Sequence, residues 1–461
     1  MTRQGRCSVP EPEALQVLDR LKGLSQVIPP AVMEQALLDT DRAQQRACRL
    51  SHRAMLWVVL AMGVLTHLPI RQVFKHARRL RPGERTPSRS NLCEARQRLG
   101  VEPVRRVFDL VARPLAGPDT PGAFRWGLRA MGIDGTVLDA PDTPANAERF
   151  GRASGGRGGG AFPQVRKLSL VELGTHVEVA MAIGGWHEGE QTLVGQLWDR
   201  IPADALLIED RGFFSYNHWK TLHGRGVKLL VRAKSDMVLR PTERLPDGSY
   251  LAKIYPSSFA RGRDRDGILV RVIEYTLDDP RRTGHGQKHR LLTNLLGPAA
   301  PPALDLACSY HERWEEELVF DEQKTHLDPR RPGKAAQLRS QTPAGVEQEV
   351  YALSLGHFVV RALMLAAADG AACDVDRLSF TGCLRILQAR LPECVAATPP
   401  DLEHWYRLLL TEMGQERLPP RRNRVNPRVV KRKMSKFAKK RPEHRCQPTR
   451  TKAFADAVVI T

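Results

Sequence analysis

The sequence predicts an α/β core with a β-strand insertion, flanked by an all-α N-terminal domain and by a helical, basic C-terminal region. Three observations lead to this fold class. Apolar residues recur at helical spacing up to about residue 110, short β-rich runs begin at residue 128, and helical spacing returns after residue 300. A composition of 42% hydrophobic and 26% charged residues is that of a globular protein and excludes a largely disordered or fibrous chain.

The positive charge of the chain is segregated. Its 461 residues carry a formal net charge of +20, of which Arg42–Arg106 contributes +12 and Arg421–Arg445 contributes +11, so the remainder is slightly acidic. Solvated surface charge would give a more scattered excess. Two basic arms around a neutral middle predict a polyanionic partner, either nucleic acid or an acidic membrane surface.

The cysteines and the apolar runs indicate the cellular compartment of the protein. The eight cysteines are scattered, without a Cys-x2-Cys pair or a Cys/His spacing suited to zinc, which favours a reducing compartment. The strongly apolar run Ala54–Leu65 is shorter than the roughly 20 residues that cross a bilayer and is predicted to be a buried helix. We therefore expect a cytoplasmic protein with no membrane partner and no secretory signal.

Residues 1–112 are predicted to form a helical DNA-binding domain. A short helix opened by Pro69 is followed by a polar turn and by an Arg-rich helix over Asn91–Leu99, with Ser90 as its N-cap and Gly100 as its stop. This is the layout of a helix-turn-helix reader, although any compact helical domain gives a similar pattern. The basic residues that we expect to contact DNA here are Arg89, Arg96 and Arg98.

The central part of the chain has the element order of a ribonuclease-H-like sheet. The run Leu128–Gly132 and the hairpin formed by Lys167–Leu173 and His176–Ile183 predict three antiparallel strands, and helix, strand, helix, strand follow. Asp134 and Asp210 each come at the carboxyl end of an apolar strand. Such a sheet would bring the two carboxylates side by side.

The remaining regions follow from changes in composition. The Gly-rich run 151–160 lacks the ending of a phosphate-binding loop and is predicted to be a flexible linker. The predicted boundaries are 125–235 for the first part of the core, 236–300 for the β-rich insertion, 301–370 for the second part of the core, and 371–461 for C-terminal helices and a basic tail. The tail residues that we expect to contact DNA are Arg432, Lys433 and Lys436.

One predicted helix, Ser309–His326, carries unusual chemistry. At about 100° per residue, Tyr310, Arg313, Glu317 and Lys324 fall within roughly 60° of arc on one helical face. A solvated helix with salt bridges between neighbouring turns would give part of this pattern.

Three carboxylates point to a metal. Asp134, Asp210 and Glu317 would repel one another unless a cation lay between them, and hard divalent ions prefer such oxygen ligands. Two ions of this kind can activate a water or a 3′-hydroxyl and stabilise the leaving oxygen in phosphodiester cleavage. Arg313 and Lys324 would then hold the substrate phosphates.

Other polar residues near these positions receive structural roles. Glu209 alternates to the opposite strand face from its neighbour. Asp139 and Asp142 are expected in a turn, and His187 and Glu190 are expected to pack near the sheet rather than bind metal.

With these residues in place, the chain resembles the DDE transposases of bacterial insertion sequences, the IS-four family. The resemblance rests on Tyr310, Arg313, Glu317 and Lys324 in the spacing Tyr-x2-Arg-x3-Glu-x6-Lys, and on the runs Ile133-Asp-Gly-Thr136 and Asp210-Arg-Gly-Phe213. It covers most of the chain.

The resemblance implies roles for these residues. Asp134, Asp210 and Glu317 would be catalytic and bind Mg²⁺, with Mn²⁺ as an alternative. Contacts to the transposon-end phosphates and to a flipped end would come from Tyr310, Arg313, Lys324 and Trp314. It also implies double-stranded DNA at inverted repeats and targets as the partner, a homodimer on paired ends, and a place at the bacterial nucleoid.

The intermediate of excision stays open at this stage. Relatives that form a hairpin stack a flipped base on a Trp of the insertion, and residues 236–300 contain none. Tyr250, Tyr255 or Tyr275 could take that place.

The function predicted from all of this is cut-and-paste transposition. Two alternatives remain: a ribonuclease-H-like nuclease without strand transfer, which needs neither basic arm, and a catalytically dead DNA-binding protein derived from a transposase, against which three intact carboxylates argue.

Overall fold

A computed structural model of the chain divides into two compact units. Unit 1 consists of the described residues up to Ile201 together with Glu315–Leu418, and unit 2 consists of Pro202–Trp314 together with the described residues after Leu418. The structure describes residues 19–44, 50–78, 85–153, 160–282, 284–297, 300–327, 338–396, 399–419, 424–425, 449–450 and 452–461.

The regular elements are numbered here in chain order. The α-helices are α1 (Pro30–Asp39), α2 (His52–Val64), α3 (Ile70–Ala77), α4 (Arg89–Leu99), α5 (Glu102–Val111), α6 (Pro144–Phe150), α7 (Glu190–Val194), α8 (Tyr216–Gly224), α9 (Ser258–Gly262), α10 (Ala303–His311), α11 (Trp314–Asp321), α12 (Pro343–Gly370), α13 (Phe380–Arg390), α14 (Pro399–Met413) and α15 (Phe454–Ala457). The strands are β1 (Phe124–Arg125), β2 (Leu128–Asp139), β3 (Gln164–Glu172), β4 (Val177–Gly185), β5 (Ala205–Glu209), β6 (Lys228–Arg232), β7 (Glu243–Arg244), β8 (Tyr250–Ile254), β9 (Ile268–Leu277), β10 (His289–Thr293), β11 (Arg424–Val425), β12 (Thr449–Arg450) and β13 (Val458–Ile460).

Helices α2 and α12 form the helical core of unit 1. Every residue of α2 from Ala54 to Val64 is buried, as expected for its unbroken apolar run. The two helices cross at two glycines: a Cβ at Gly63 would lie 1.8 Å from the carbonyl oxygen of Ala352, and one at Gly356 would lie 2.3 Å from the carbonyl oxygen of Gly63. The helices before residue 112 share unit 1 with α12 and with strands β1 to β4, and the predicted domain boundaries stay a prediction.

Helix α12 is the one described helix long and apolar enough to cross a membrane. Its most apolar stretch is 78% buried within the fold, as is usual for a core helix. The helix begins where its residues favour a start: the hydroxyl of Thr342 accepts a hydrogen bond from the Gly345 amide, and Pro343 occupies the first turn.

The Arg-rich helix α4 begins earlier than predicted. Its N-cap is Ser88, whose hydroxyl oxygen accepts from the Asn91 amide at 3.1 Å, so the prediction of Ser90 as the cap is wrong. The helix ends at Leu99, and Gly100 follows with a φ of 78°, a conformation that glycine adopts without steric cost.

The strands of unit 1 form an antiparallel array in which β2 pairs with β1 and β3, and β3 pairs with β4. Strand β2 continues to Asp139, which pairs with Gln164, so the predicted end near Gly132 and the predicted turn at Asp139 are both wrong. Asp134 consequently lies in mid-strand, opposite Ser169, rather than at a strand end.

Unit 2 is built on strands β5 and β6, which are parallel and joined through α8. Strand β10 adds antiparallel to β6, and β9, β8 and β7 follow in that order. The predicted β insertion therefore extends the strands of unit 2. After the basic segment Arg421–Arg445 the chain adds strand β13 to unit 2, where it pairs with β9. The predicted basic tail is therefore an internal segment. With its helical N-terminal region and mixed sheet, the predicted fold class, an α/β ribonuclease-H-like core, is confirmed.

Candidate active site

The segment predicted as one helix over Ser309–His326 is broken. Helix α10 closes with amide-to-carbonyl bonds from Glu312 to Ser309 and from Arg313 to Tyr310, each 3.2 Å and three residues apart, and α11 begins separately at Trp314. A π-helical turn, Glu322–His326, follows α11. The prediction that the four motif residues share one helical face is therefore wrong, because the angles of a continuous α-helix do not apply across the break.

Tyr310 contacts one of the predicted catalytic carboxylates within unit 2. Asp210 directly follows β5 as predicted, and the Tyr310 hydroxyl donates to its Oδ1 over 3.4 Å. Burial raises the pKa of Tyr310, so its hydroxyl stays a donor, while the guanidinium groups of Arg313 and Arg232 act in the opposite direction. Unit 2 thus brings together Asp210, Tyr310 and Arg313.

The residue before Asp210 has a different role. Glu209 is fully buried, and both of its carboxylate oxygens share hydrogen bonds with Nε2 of His218, at 2.9 and 3.1 Å. Glu209 is thus engaged inside the fold, whereas Asp210, just after the strand, is half-buried.

Asp134 is half-buried in unit 1, and its Oδ1 accepts from the Gly135 amide at 2.7 Å. A second carboxylate lies close to the next residue: a Cβ on Gly135 would stand 2.6 Å from Oε1 of Glu190. Glu190 therefore packs beside the sheet, as predicted.

Lys324 also belongs to this part of unit 1. Its side chain is half-buried in the π-helical turn; burial and the Lys167 ammonium lower its pKa, while Asp139 and Asp134 oppose that shift. Unit 1 thus brings Lys324 into the electrostatic environment of Asp134. Glu317 is exposed on α11.

The three predicted carboxylates are of the kind that binds hard divalent ions. Within the described part of the chain, no group of three or more His, Cys, Asp or Glu side chains is close enough to hold a metal ion. The donor set Asp134, Asp210 and Glu317 is all oxygen, which is what Mg²⁺ and Mn²⁺ prefer, so the residue types fit such an ion.

The predicted DNA contacts of α4 separate into two kinds. Arg89 and Arg98 are exposed. Arg96 is not: its side chain is 11% exposed, and its guanidinium donates to the Ser340 hydroxyl at 3.0 Å and pairs with Glu349 at 3.6 Å. The expectation of a DNA contact at Arg96 is corrected, because its charge is already engaged inside unit 1.

Several other predicted positions can be placed, and some cannot. Tyr250 and Tyr275 are each 5% exposed within the strands of unit 2, which leaves Tyr255 as the partly exposed tyrosine of the three. The side chain of Trp314 and the residues Arg432, Lys433 and Lys436 lie outside the described residues.

The sequence reasoning missed a buried ion pair beneath Lys324. Lys167 and Glu178 face each other from β3 and β4 at 2.8 Å, fully buried. Part of the signal was present, since a Lys and a Glu stand in two strands that are largely buried, where charged residues are rare unless they are paired.

Comparisons with known proteins point in one direction. The family model "Insertion element 4 transposase N-terminal" matches residues 18–109, and the model "Transposase DDE domain" matches residues 125–355. The chain is 30% identical over 423 residues to the transposase InsG for insertion sequence element IS4 of Escherichia coli (strain K12), covering 90% of this chain and 93% of that protein.

Two further similarities are more limited. A putative transposase InsZ of the same strain is 26% identical over 204 residues, covering 43% of this chain and 66% of its own length. Among solved structures, the piggyBac transposase synaptic complex with hairpin DNA aligns over 88% of each chain, with a TM-score of 0.43 and 11% identity.

Proposed function

The chain belongs to the insertion element 4 family of DDE transposases, and from this membership we propose that Asp134, Asp210 and Glu317 are its catalytic carboxylates. We propose the following order of events: the protein binds the terminal inverted repeats of its element, hydrolyses the phosphodiester bonds at the ends, and directs the freed 3′-hydroxyl onto target DNA. Two copies acting on paired ends would hold both ends at once.

The observation that best supports this assignment is the contact between Tyr310 and Asp210. These two motif residues are 100 positions apart in sequence, and the hydroxyl of the first donates to the carboxylate of the second. A donor at that position restrains the orientation of the Asp210 carboxylate. The contact joins the Tyr of the predicted helical motif to the carboxylate that directly follows β5.

The remaining motif residues supply positive charge for DNA. Arg313 lies in the surroundings of Tyr310, which contacts Asp210, and Lys324 lies in those of Asp134. We propose that both cations bind phosphates of the element end, where charge-assisted hydrogen bonds are strong. A divalent cation, Mg²⁺ or alternatively Mn²⁺, would supply the charge that activates the attacking oxygen and stabilises the leaving one.

Substitution of the three carboxylates tests this function. We expect Asp134→Asn, Asp210→Asn and Glu317→Gln each to abolish cleavage of inverted-repeat DNA in Mg²⁺ while binding to the same DNA is kept, because the amides preserve shape but remove the charge. The measurement is gel analysis of end-labelled DNA beside a mobility-shift titration.

A matched control lies on the same helix as Glu317. Asp321 is exposed on α11 and pairs with His326 at 3.3 Å, so Asp321→Asn removes one carboxylate from that helix and should leave cleavage intact. A triple variant that still nicks the repeat would refute the assignment. Binding without cleavage by the wild-type protein would favour the catalytically dead alternative.

A further inference from the structure

The π-helical turn Glu322–His326 is held by two separate buried networks on two consecutive residues. Such turns are rare in proteins and occur frequently at functional sites. This one carries Lys324 immediately after the two anchored residues. The turn, both networks and Lys324 all belong to unit 1.

The first network holds Glu322. Its Oε2 accepts from Nε of Arg361 at 2.9 Å and shares a hydrogen bond with Nε2 of His357 at 2.9 Å, and its Oε1 accepts from Nη2 of Arg361. Arg361 and His357 are buried, at 3% and 0% exposure. Burial alone would raise the pKa of Glu322, but the guanidinium and the neighbouring histidines hold it well below its ordinary value.

The second network holds Gln323. Its Oε1 accepts from Nζ of Lys167 at 2.7 Å, and its Nε2 donates to Oε2 of Glu178 at 3.1 Å. The ion pair behind it is itself satisfied, since Lys167 also donates to Ser354 at 2.8 Å and Glu178 also accepts from Ser169 at 2.5 Å. The amide of Gln323 therefore has one defined orientation, with its oxygen toward the cation and its nitrogen toward the anion.

The energetics of this pair favour a positional role over a stabilising one. Removing an ammonium and a carboxylate from water costs several kcal/mol each, and apolar residues of similar volume often stabilise a core equally well. A buried pair is therefore weak evidence for stability. What the Lys167–Glu178 pair provides is a fixed donor and a fixed acceptor, both satisfied by the same glutamine side chain.

From this arrangement we infer that Gln323, clamped by Lys167 and Glu178, is a positioning residue that sets the direction of Lys324 toward the DNA phosphate. The inference rests on the proposed function, in which Lys324 binds the element end. The clamp fixes Gln323 inward at the residue directly before Lys324, and Lys324 is half-buried and close enough to Asp134 and Asp139 of β2 for their carboxylates to raise its pKa. Without the clamp, Lys324 would keep its charge and lose its direction.

A double-mutant cycle between Gln323 and Lys324 tests this inference. The variants are Gln323→Met, Lys324→Ala and the double substitution, and the readout is the dissociation constant for a labelled inverted-repeat duplex, with end cleavage as a second measure. We expect Lys324→Ala to weaken binding by about tenfold and Gln323→Met by roughly threefold to tenfold when Lys324 is present. In the Lys324→Ala background, Gln323→Met should then cost less than about twofold, because coupled residues are non-additive.

A matched control separates positioning from a general loss of structure. Gln388 of α13 is another glutamine of unit 1; it is half-buried, and its amide donates one hydrogen bond to the carbonyl oxygen of Val64 at 2.8 Å. Gln388→Met removes that side-chain hydrogen bond from the fold of unit 1 and should leave the dissociation constant unchanged. If Gln323→Met does not fold, Gln323→Asn, one methylene shorter and unable to reach both partners, takes its place in the cycle.

The outcomes distinguish the positioning role of Gln323 from the proposed DNA contact of Lys324. Equal losses from Gln323→Met with and without Lys324 would overturn the positioning role and leave Lys324 as a DNA contact. An unchanged dissociation constant and cleavage rate in Lys324→Ala would instead overturn the proposed role of Lys324, and this inference with it.

Discussion

Arg96 shows how a basic residue can look like a DNA contact and serve the fold instead. Its guanidinium donates to the carbonyl oxygen of Gly345 at 2.5 Å and to Ser340, and it is the cation facing Glu349, whose side chain is 7% exposed. Its neighbour Arg98 is exposed on the same helix. The two arginines on either side of Gln97 therefore differ in their surroundings, since Arg96 is engaged inside unit 1 and Arg98 is exposed.

The two arginines make a matched pair for measurement. Arg96→Ala should lower the free energy of unfolding by about 3 kcal/mol, because it leaves Glu349 buried without its cation. Arg98→Ala should change it by less than about 0.5 kcal/mol. Denaturant unfolding of both variants checks this, and equal stability of the two would show that the Arg96 network contributes nothing.

At the level of single residues, the sequence indicated the candidate site residues better than the contacts that their side chains make. Asp210 was singled out from its place at the end of an apolar strand, and Tyr310 and Lys324 from their spacing on a predicted helix; the structure gives each a charged or hydrogen-bonded neighbour. The partners of Arg96 could not be found, since they lie about 250 residues away and depend on packing.

Among the elements, the crossing of α2 and α12 is set by backbone contact. Gly63 and Gly356 remove the side chains that would hold the two helices apart. Small residues at such a crossing allow close packing. In α12 the position that must stay without a side chain is Gly356. The last residue of the same helix, Gly370, has no heavy atom within 4 Å of the Cβ it lacks.

The two glycines of α12 should therefore respond oppositely to a methyl group. Gly356→Ala should destabilise the protein by about 2 kcal/mol or more, because the added Cβ would meet the backbone of α2. Gly370→Ala should be neutral or stabilise by up to about 1 kcal/mol through helix propensity. Thermal unfolding distinguishes them, and a neutral Gly356→Ala would mean that the crossing is wider than described.

Elements with strong local signals were predicted, and those decided by distant contacts were not. The hairpin of β3 and β4 was predicted from their sequence, and the N-cap of α12 at Thr342 is likewise a local signal. The length of β2 depends on pairing with β3 as far as Gln164, and the π-helical turn depends on Lys167 and Arg361 from other parts of the chain. Neither dependence is visible in a local window.

For the whole molecule, the segregation of charge is the feature that the sequence shows most directly. A net charge of +20 concentrated in two stretches suits a DNA-binding enzyme, and binding through many phosphate contacts should weaken steeply with salt. The assignment to two compact units could not be predicted, because each unit is assembled from segments separated by more than 100 residues.

The most direct test of the central claim is a strand-transfer measurement with the whole protein. Wild-type protein is incubated with Mg²⁺, a labelled duplex ending in the inverted repeat of its element, and a target plasmid, and the products are sequenced across the junctions. We predict 3′ ends of the repeat joined to target DNA, lost on chelation of the metal and lost in Asp210→Asn. Free cut ends without any junction, or junctions that persist in Asp210→Asn, would contradict the claim that this chain is a DDE transposase acting through that carboxylate.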